Sequence, residues 1–133
     1  MEKTSYPKFS FNGRIVSAKV VKVYDGDTIK VVFNPFPKDP ESKIWKFRIR
    51  LLDVDTNELK PKRKDYPDEE ERQEIIRLAK LARDDLAIKI LHKDVTVACD
   101  DFDVFGRILG NVFTETKFHI NNYMKKHNKN LNN

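Results

Sequence analysis

A chain of 133 residues, 39% hydrophobic and 35% charged, has room for one domain around one modest core and the composition of a soluble globular protein. No run of about 18 apolar residues occurs, which excludes a membrane-spanning helix, and a lone cysteine, Cys99, excludes both an intrachain disulfide and a thiolate zinc site. With 26 basic and 21 acidic residues the net charge is +5, and residues 1–66 alone carry +6, a bias that suits a polyanionic partner and equally an ordinary basic surface.

In chain order, residues 1–12 are polar and unpatterned and are expected to form a flexible arm. They also lack the apolar centre of a secretory signal, so the expected location is the cytoplasm. Arg14 to Tyr24 is dense in β-branched residues and predicts a strand. Asp25-Gly26-Asp27 then predicts a hairpin turn in which Gly26 takes the positive φ, and Thr28 to Phe33 is the second strand. Three prolines between Asn34 and Pro40 force a surface connection. Trp45 to Val54 is the third strand, with Arg48 and Arg50 on one face and Phe47, Ile49 and Leu51 on the other.

A basic loop from Asn57 to Pro67 leads to one long helix, about Asp68 to Leu91. Asp68 and Glu71 have capping-box spacing, and Ile75, Leu78, Ala79, Ala82, Leu86 and Ile90 recur on one face. Strands at Val95–Cys99 and Ile108–Phe113 flank a turn at Gly106, and a short helix spans about Ile120 to Lys126. The expected division is the arm at 1–12, a domain at 13–127 and a polar tail at 128–133. Five strands with the long helix between the third and fourth suit an α+β, mainly β, five-stranded Greek-key barrel of the OB type. A split βαβ sandwich competes, but three strands here precede the first helix.

Three short patterns carry the chemistry: Asp25-Gly26-Asp27-Thr28, the stretch from Arg50 to Glu58, and Asp103-Val104-Phe105-Gly106-Arg107. Each alone has a structural explanation, as a hairpin turn, a helix-cap spacing and a tight turn. Together they supply hard carboxylate oxygens for Ca²⁺ or Mg²⁺ in Asp27 and Asp55. They also supply two guanidinium forks that match phosphate oxygens, in Arg50 and Arg107, and a carboxylate in Glu58 placed to accept a proton from water. A transition state with more charge on its oxygens than the substrate is stabilised selectively by such a set.

The order DGDT, R-x4-D-T-x-E, D-x-x-G-R resembles the staphylococcal nuclease family over about Arg14 to Lys126. The resemblance implies an OB-type barrel and a Ca²⁺-dependent nuclease, one ion per site. Such an enzyme hydrolyses DNA and RNA with little sequence preference, favours single strands and leaves 3′-phosphates. It implies that Asp27, Asp55 and the Thr56 carbonyl bind calcium, and that Asp25 holds a metal-bound water from the second shell. It further implies that Arg50 and Arg107 bind phosphate and that Glu58 is the general base, with Arg48 the fallback for Arg50 if the register is off by two. The chain is expected to act as a monomer, with no membrane partner.

Where the family has a proline this chain has Asn57, which predicts a looser loop around Glu58, and the Lys-Tyr pair before the glycine is Val104-Phe105. Phe105 keeps a ring for stacking without a hydroxyl, and the family's base-stacking tyrosines have no counterpart beyond Tyr123, which is expected to pack in the core. Lys60, Lys62, Arg63 and Lys64 beside Glu58 form either a solvated loop or a phosphate-tracking patch. The three histidines fit no zinc spacing, and Trp45 is expected to pack. The alternative function is a noncatalytic single-stranded nucleic-acid-binding OB domain.

Overall fold

A computed structural model describes residues 5–131. Strands β1 (Ile15–Val23), β2 (Thr28–Phe33), β3 (Trp45–Leu51), β4 (Asp94–Phe102) and β5 (Ile108–Phe113) are joined by helix α1 (Glu69–Ile90) and followed by α2 (Ile120–His127). The strands close into a barrel in the order β1-β2-β3-β5-β4. The β3–β5 pair is parallel and every other pair antiparallel, so the expected five-stranded barrel holds.

Alternation explains the walls: Val16, Ala18 and Val20 are buried while Ile15, Ser17 and Lys19 between them are exposed. Ala82, Leu86 and Ile90 of α1 and Ile120 and Met124 of α2 complete the core. The cap of α1 is simpler than a capping box, since the Asp68 carboxylate accepts from Glu70 N–H. Three glutamates in the first turn favour the positive end of the helix dipole. Arg72 is buried there, paired with Glu69 and donating to the Tyr66 carbonyl at 3.3 Å.

Four local expectations need correction. Strand β3 stops at Leu51 rather than Val54, because Asp53 takes φ 61° and turns the chain. Strand β4 runs past Cys99 to Phe102, which pairs with Ile108 after a shift of register. Phe11, assigned to the arm, is buried against Phe33, Phe47 and Phe102 at centroid distances of 5.9, 5.5 and 5.7 Å. Trp45 is 57% exposed rather than packed.

At Asp25-Gly26-Asp27 the glycine serves a purpose other than the expected one. Positive φ occurs at Gly13 and Gly106 but not at Gly26. A Cβ at Gly26 would stand 2.7 Å from Ala82 Cβ and 2.7 Å from Thr56 Cγ2 and Oγ1. The turn therefore lies directly on α1 and on the loop after β3. We expect Gly26→Ala to cost about 1–3 kcal/mol by overpacking, read as a lower melting temperature. An unchanged melting temperature would mean that Thr56 swings away freely.

Two tethers hold the C-terminal side. Buried Asn121 of α2 accepts from Val112 N–H at 2.8 Å and donates to the carbonyls of Leu52 and Gly110 at 3.0 and 2.9 Å. Residues 128–131, expected as a polar tail, are docked: Asn128 donates to Asp85 at 2.7 Å, and Asn130 and Leu131 reach the loop after β3. No helix among the described residues is long and apolar enough to cross a membrane.

Candidate active site

Barrel pairing brings the three sequence patterns together. Thr28 opens β2 opposite Arg50 near the end of β3, and Arg50 is also paired with Leu109, two residues beyond Arg107. Asp27 precedes Thr28 and is buried, 8% exposed. Its Oδ2 lies 3.5 Å from Arg50 Nη1 and accepts from Thr56 N–H at 3.2 Å. Its Oδ1 accepts from the Thr28 hydroxyl at 3.1 Å, and that same hydroxyl oxygen accepts from Arg107 Nη1 at 3.2 Å. One buried carboxylate thus links both arginines, to Arg50 directly and to Arg107 through Thr28.

Each guanidinium is oriented by a second set of acceptors. Arg50 Nη1 donates to Leu51 O at 3.0 Å and to Val54 O, a carbonyl presented by the turn at Asp53. Arg107 Nε donates to Asp103 Oδ2 at 2.7 Å, while Asp103 Oδ1 accepts from the Phe105 and Arg107 N–H groups at 2.8 and 2.9 Å. Burial works to raise the Asp103 carboxyl, but these donors and the Arg107 charge outweigh it and hold it below the usual range.

Asp27 goes the other way. Burial, a carboxyl–carboxyl hydrogen bond with Asp25 and the Asp25 charge push it from 3.8 up to about 6, against Arg50 and the Thr56 N–H, which lower it. Asp25 also shapes the turn, its Oδ1 accepting from the N–H groups of Asp27 and Thr28 at 3.0 and 2.9 Å. Asp25 and Asp27 thus place two carboxylates side by side in one turn, with Arg50 and the Thr56 N–H against the buried one.

The structure does not gather every residue of the set equally. Thr56 reaches Asp27, but the exposed Asp55 side chain is bound through Oδ2 by Asn130 Nδ2 at 2.7 Å. Among the described residues, no three His, Cys, Asp or Glu side chains are grouped so as to hold a metal. Glu58 is exposed and lines a cavity of about 120 Å³ with Asp55, Thr56, Asn57, Tyr66, Ile75 and Asn130. Asn57, expected to loosen this loop, is instead buried and accepts from Leu131 N–H at 3.1 Å.

Lys60, Lys62, Arg63 and Lys64 are all exposed on the same loop. Phe105 is 69% exposed, with the Arg107 guanidinium 5.3 Å from its ring centroid. Arg48 is exposed and donates to Phe105 O at 2.7 Å, so the fallback position braces the Arg107 turn. Tyr123 packs as expected against the core and donates to Asp85 at 3.0 Å.

Sequence reasoning gave no role to Thr28 and Asp103, although both lie in its patterns, and missed Asn130. Thr28 looked like the first residue of a strand, although its hydroxyl joins Asp27 to Arg107. A signal for Asp103 exists in its position four residues before Arg107, where a turn lets the two close an ion pair. Asn130 carries no such signal.

The barrel gathers two arginines around one buried carboxylate, and comparison with known proteins points to a nuclease family. A family model described as staphylococcal nuclease homologue matches residues 48–128. The chain is also similar to an uncharacterized endonuclease of Escherichia coli, 30% identical over 109 residues that make up 82% of this chain and 56% of that protein. An uncharacterized endonuclease of Escherichia coli O157:H7 is 29% identical over 109 residues, with the same shares. The chain belongs to the staphylococcal nuclease family. It spans about half the length of the curated relatives it matches. The stretch matched by the family model contains Arg50, Asp55, Glu58 and Arg107, whereas Asp25 and Asp27 precede it.

Proposed function

We propose that this chain is a Ca²⁺-dependent phosphodiesterase that cleaves DNA and RNA with little sequence preference, favours single strands and leaves 3′-phosphate ends. The observation that carries the reading is the link from Arg50 through Asp27 and Thr28 to Arg107. Two permanently charged forks are thereby fixed beside one buried carboxylate. One barrel supplies every residue of the site, which favours a monomer, and the unpaired Cys99 suits the cytoplasm.

Asp27, Asp55 and the Thr56 carbonyl would hold the calcium ion, with Asp25 behind them. The hard carboxylate oxygens of Asp27 and Asp25, side by side in one turn, suit such a cation, and Asp55 would join by exchanging Asn130 for it. Bound calcium would supply Lewis-acid neutralisation of phosphate charge. Arg50 and Arg107 bind and orient the phosphate and match the extra charge on its oxygens as phosphorus becomes five-coordinate. Glu58 takes a proton from the attacking water. The water oxygen bonds to phosphorus, the bond to the 5′ oxygen breaks, and that oxygen leaves by taking a proton from solvent.

A calcium titration on matched single- and double-stranded DNA and RNA tests this reading. We expect degradation of denatured DNA and of RNA in calcium, none in excess chelator, and recovery when calcium is restored. The product ends should block polymerase extension until phosphatase removes the 3′-phosphate. Undiminished cleavage in chelator would overturn the metal role. The engagement of Asp55 by Asn130 favours the second reading, a noncatalytic single-strand binder. Strand binding with no cleavage at saturating calcium would establish that one instead.

A further inference from the structure

We propose that the outer face of β1, β2 and β3 is a track for the single-stranded polynucleotide that flanks the cleaved phosphate. This rests on the nuclease reading and deepens it by assigning the residues that hold the strand outside the site. Lys22 of β1 is paired directly opposite Lys30 of β2, and Lys30 directly opposite Arg48 of β3. Three cations therefore stand abreast on three neighbouring strands, about 4.7–4.9 Å from strand to strand. Like charges directly opposite one another in a sheet are destabilising. Among the described residues none of Lys22, Lys30, Lys46 and Arg48 forms an ion pair, although five such pairs occur elsewhere. A bound polyanion would offset this repulsion.

The row is continuous with the candidate site. Alternate residues of a strand share a face, so Arg50, Arg48 and Lys46 follow one another along β3, with Thr28, Lys30 and Val32 opposite them on β2. Tyr24, Lys30, Lys46, Phe47, Arg48 and Gly106 line a depression of about 340 Å³. Tyr24 puts a ring among these cations, and Phe105 precedes the lining Gly106 in the chain. Lys22 Nζ and Lys30 Nζ lie 4.6 and 5.5 Å from the Tyr24 centroid, and the exposed Phe105 ring lies beside Arg107. Arg48 fastens the track to the turn of Phe105 through its bond to that carbonyl.

Cations that follow a backbone, interleaved with rings on which bases stack, are what a single strand requires. A duplex hides the faces of its bases and would use only the charges.

The test is fluorescence anisotropy with labelled oligothymidylate in chelator, comparing the full chain with a Lys22→Gln, Lys30→Gln, Lys46→Gln variant. A Lys80→Gln, Lys93→Gln, Lys125→Gln variant removes equal charge from exposed positions elsewhere. We expect the first variant to bind about tenfold more weakly or worse. Its plot of log affinity against log salt should be flatter by about 0.7 for each charge removed. The second variant should bind as the full chain does, oligouridylate should behave like oligothymidylate, and a duplex of equal length should bind less tightly. Equal losses in both variants, no loss in the first, or equal affinity for duplex would overturn the track. If the calcium titration shows no cleavage while strand binding depends on these lysines, hydrolysis fails and the track stands. Cleavage with lysine-indifferent binding gives the reverse.

Discussion

Replacing Arg107 with lysine is expected to lower the turnover of single-stranded DNA by about 10²-fold or more, with little change in melting temperature. Arg107 reaches its place through two bonds that a lysine cannot reproduce together. Its Nε is held by Asp103 at 2.7 Å while Nη1 reaches the Thr28 hydroxyl at 3.2 Å. An ammonium keeps the charge but loses the planar fork, so it can satisfy one partner or present itself to phosphate, not both.

Arg50 makes a less clean experiment, because its Nη1 also binds the carbonyls of Leu51 and Val54. Removing it frees acceptors at the end of β3 and disturbs the turn before Asp55, so its effect on rate mixes with one on stability. Single-turnover rates of Arg107→Lys and Asp103→Asn beside melting curves separate the roles. Asp103→Asn keeps the guanidinium and should lose less. An Arg107→Lys protein within about threefold of the parent rate would remove Arg107 from the transition state.

Local rules foresaw the walls of the barrel well and its seams poorly. The alternation of Val16, Ala18 and Val20, the bounds of β2 and β5 and the Asp68 cap were all legible, because each depends on residues near one another in sequence. The burial of Phe11 and the docking of Asn130 and Leu131 onto Asp55 and Asn57 were not. Those tail contacts join residues about 75 positions apart with no periodicity to announce them. Gly26 was noticed for its turn, but what requires glycine is the approach of Ala82 and Thr56.

Asp27, Arg50 and Arg107 could be paired only because their motifs occur in a recognisable order. The hydroxyl that connects them belongs to Thr28, whose type is what a strand favours anyway. For Asp55 the motif and the geometry diverge: Thr56 meets Asp27 while the neighbouring carboxylate faces the tail. On the calcium reading proposed above, the tail bond to Asp55 would have to yield, and calcium affinity would depend on residues 130–131, which no motif covers.

Asp27→Asn should make the chain more stable at neutral pH while destroying its activity. In the folded protein Asp27 titrates near 6, above its ordinary 3.8, so its ionised form is the costly one. Its contribution is most favourable below about pH 4 and is lost as pH rises through about 6. At pH 7 the cost is on the order of 1–3 kcal/mol, most of it from burial and from Asp25.

An asparagine removes the charge but must turn its one oxygen either to Thr28 or to Thr56, so part of that gain is lost. The variant should melt higher than the parent at neutral pH in chelator, and the difference should shrink as pH falls toward 4. Calcium should raise the melting temperature of the parent, because a ligand that binds only the folded state stabilises it, and should leave the variant unmoved. Loss of cleavage by about 10²-fold or more should accompany the gain in stability. A variant that melts below its parent at neutral pH, or that keeps the calcium shift, would mean that Arg50 already balances this carboxylate and that no cation is needed there.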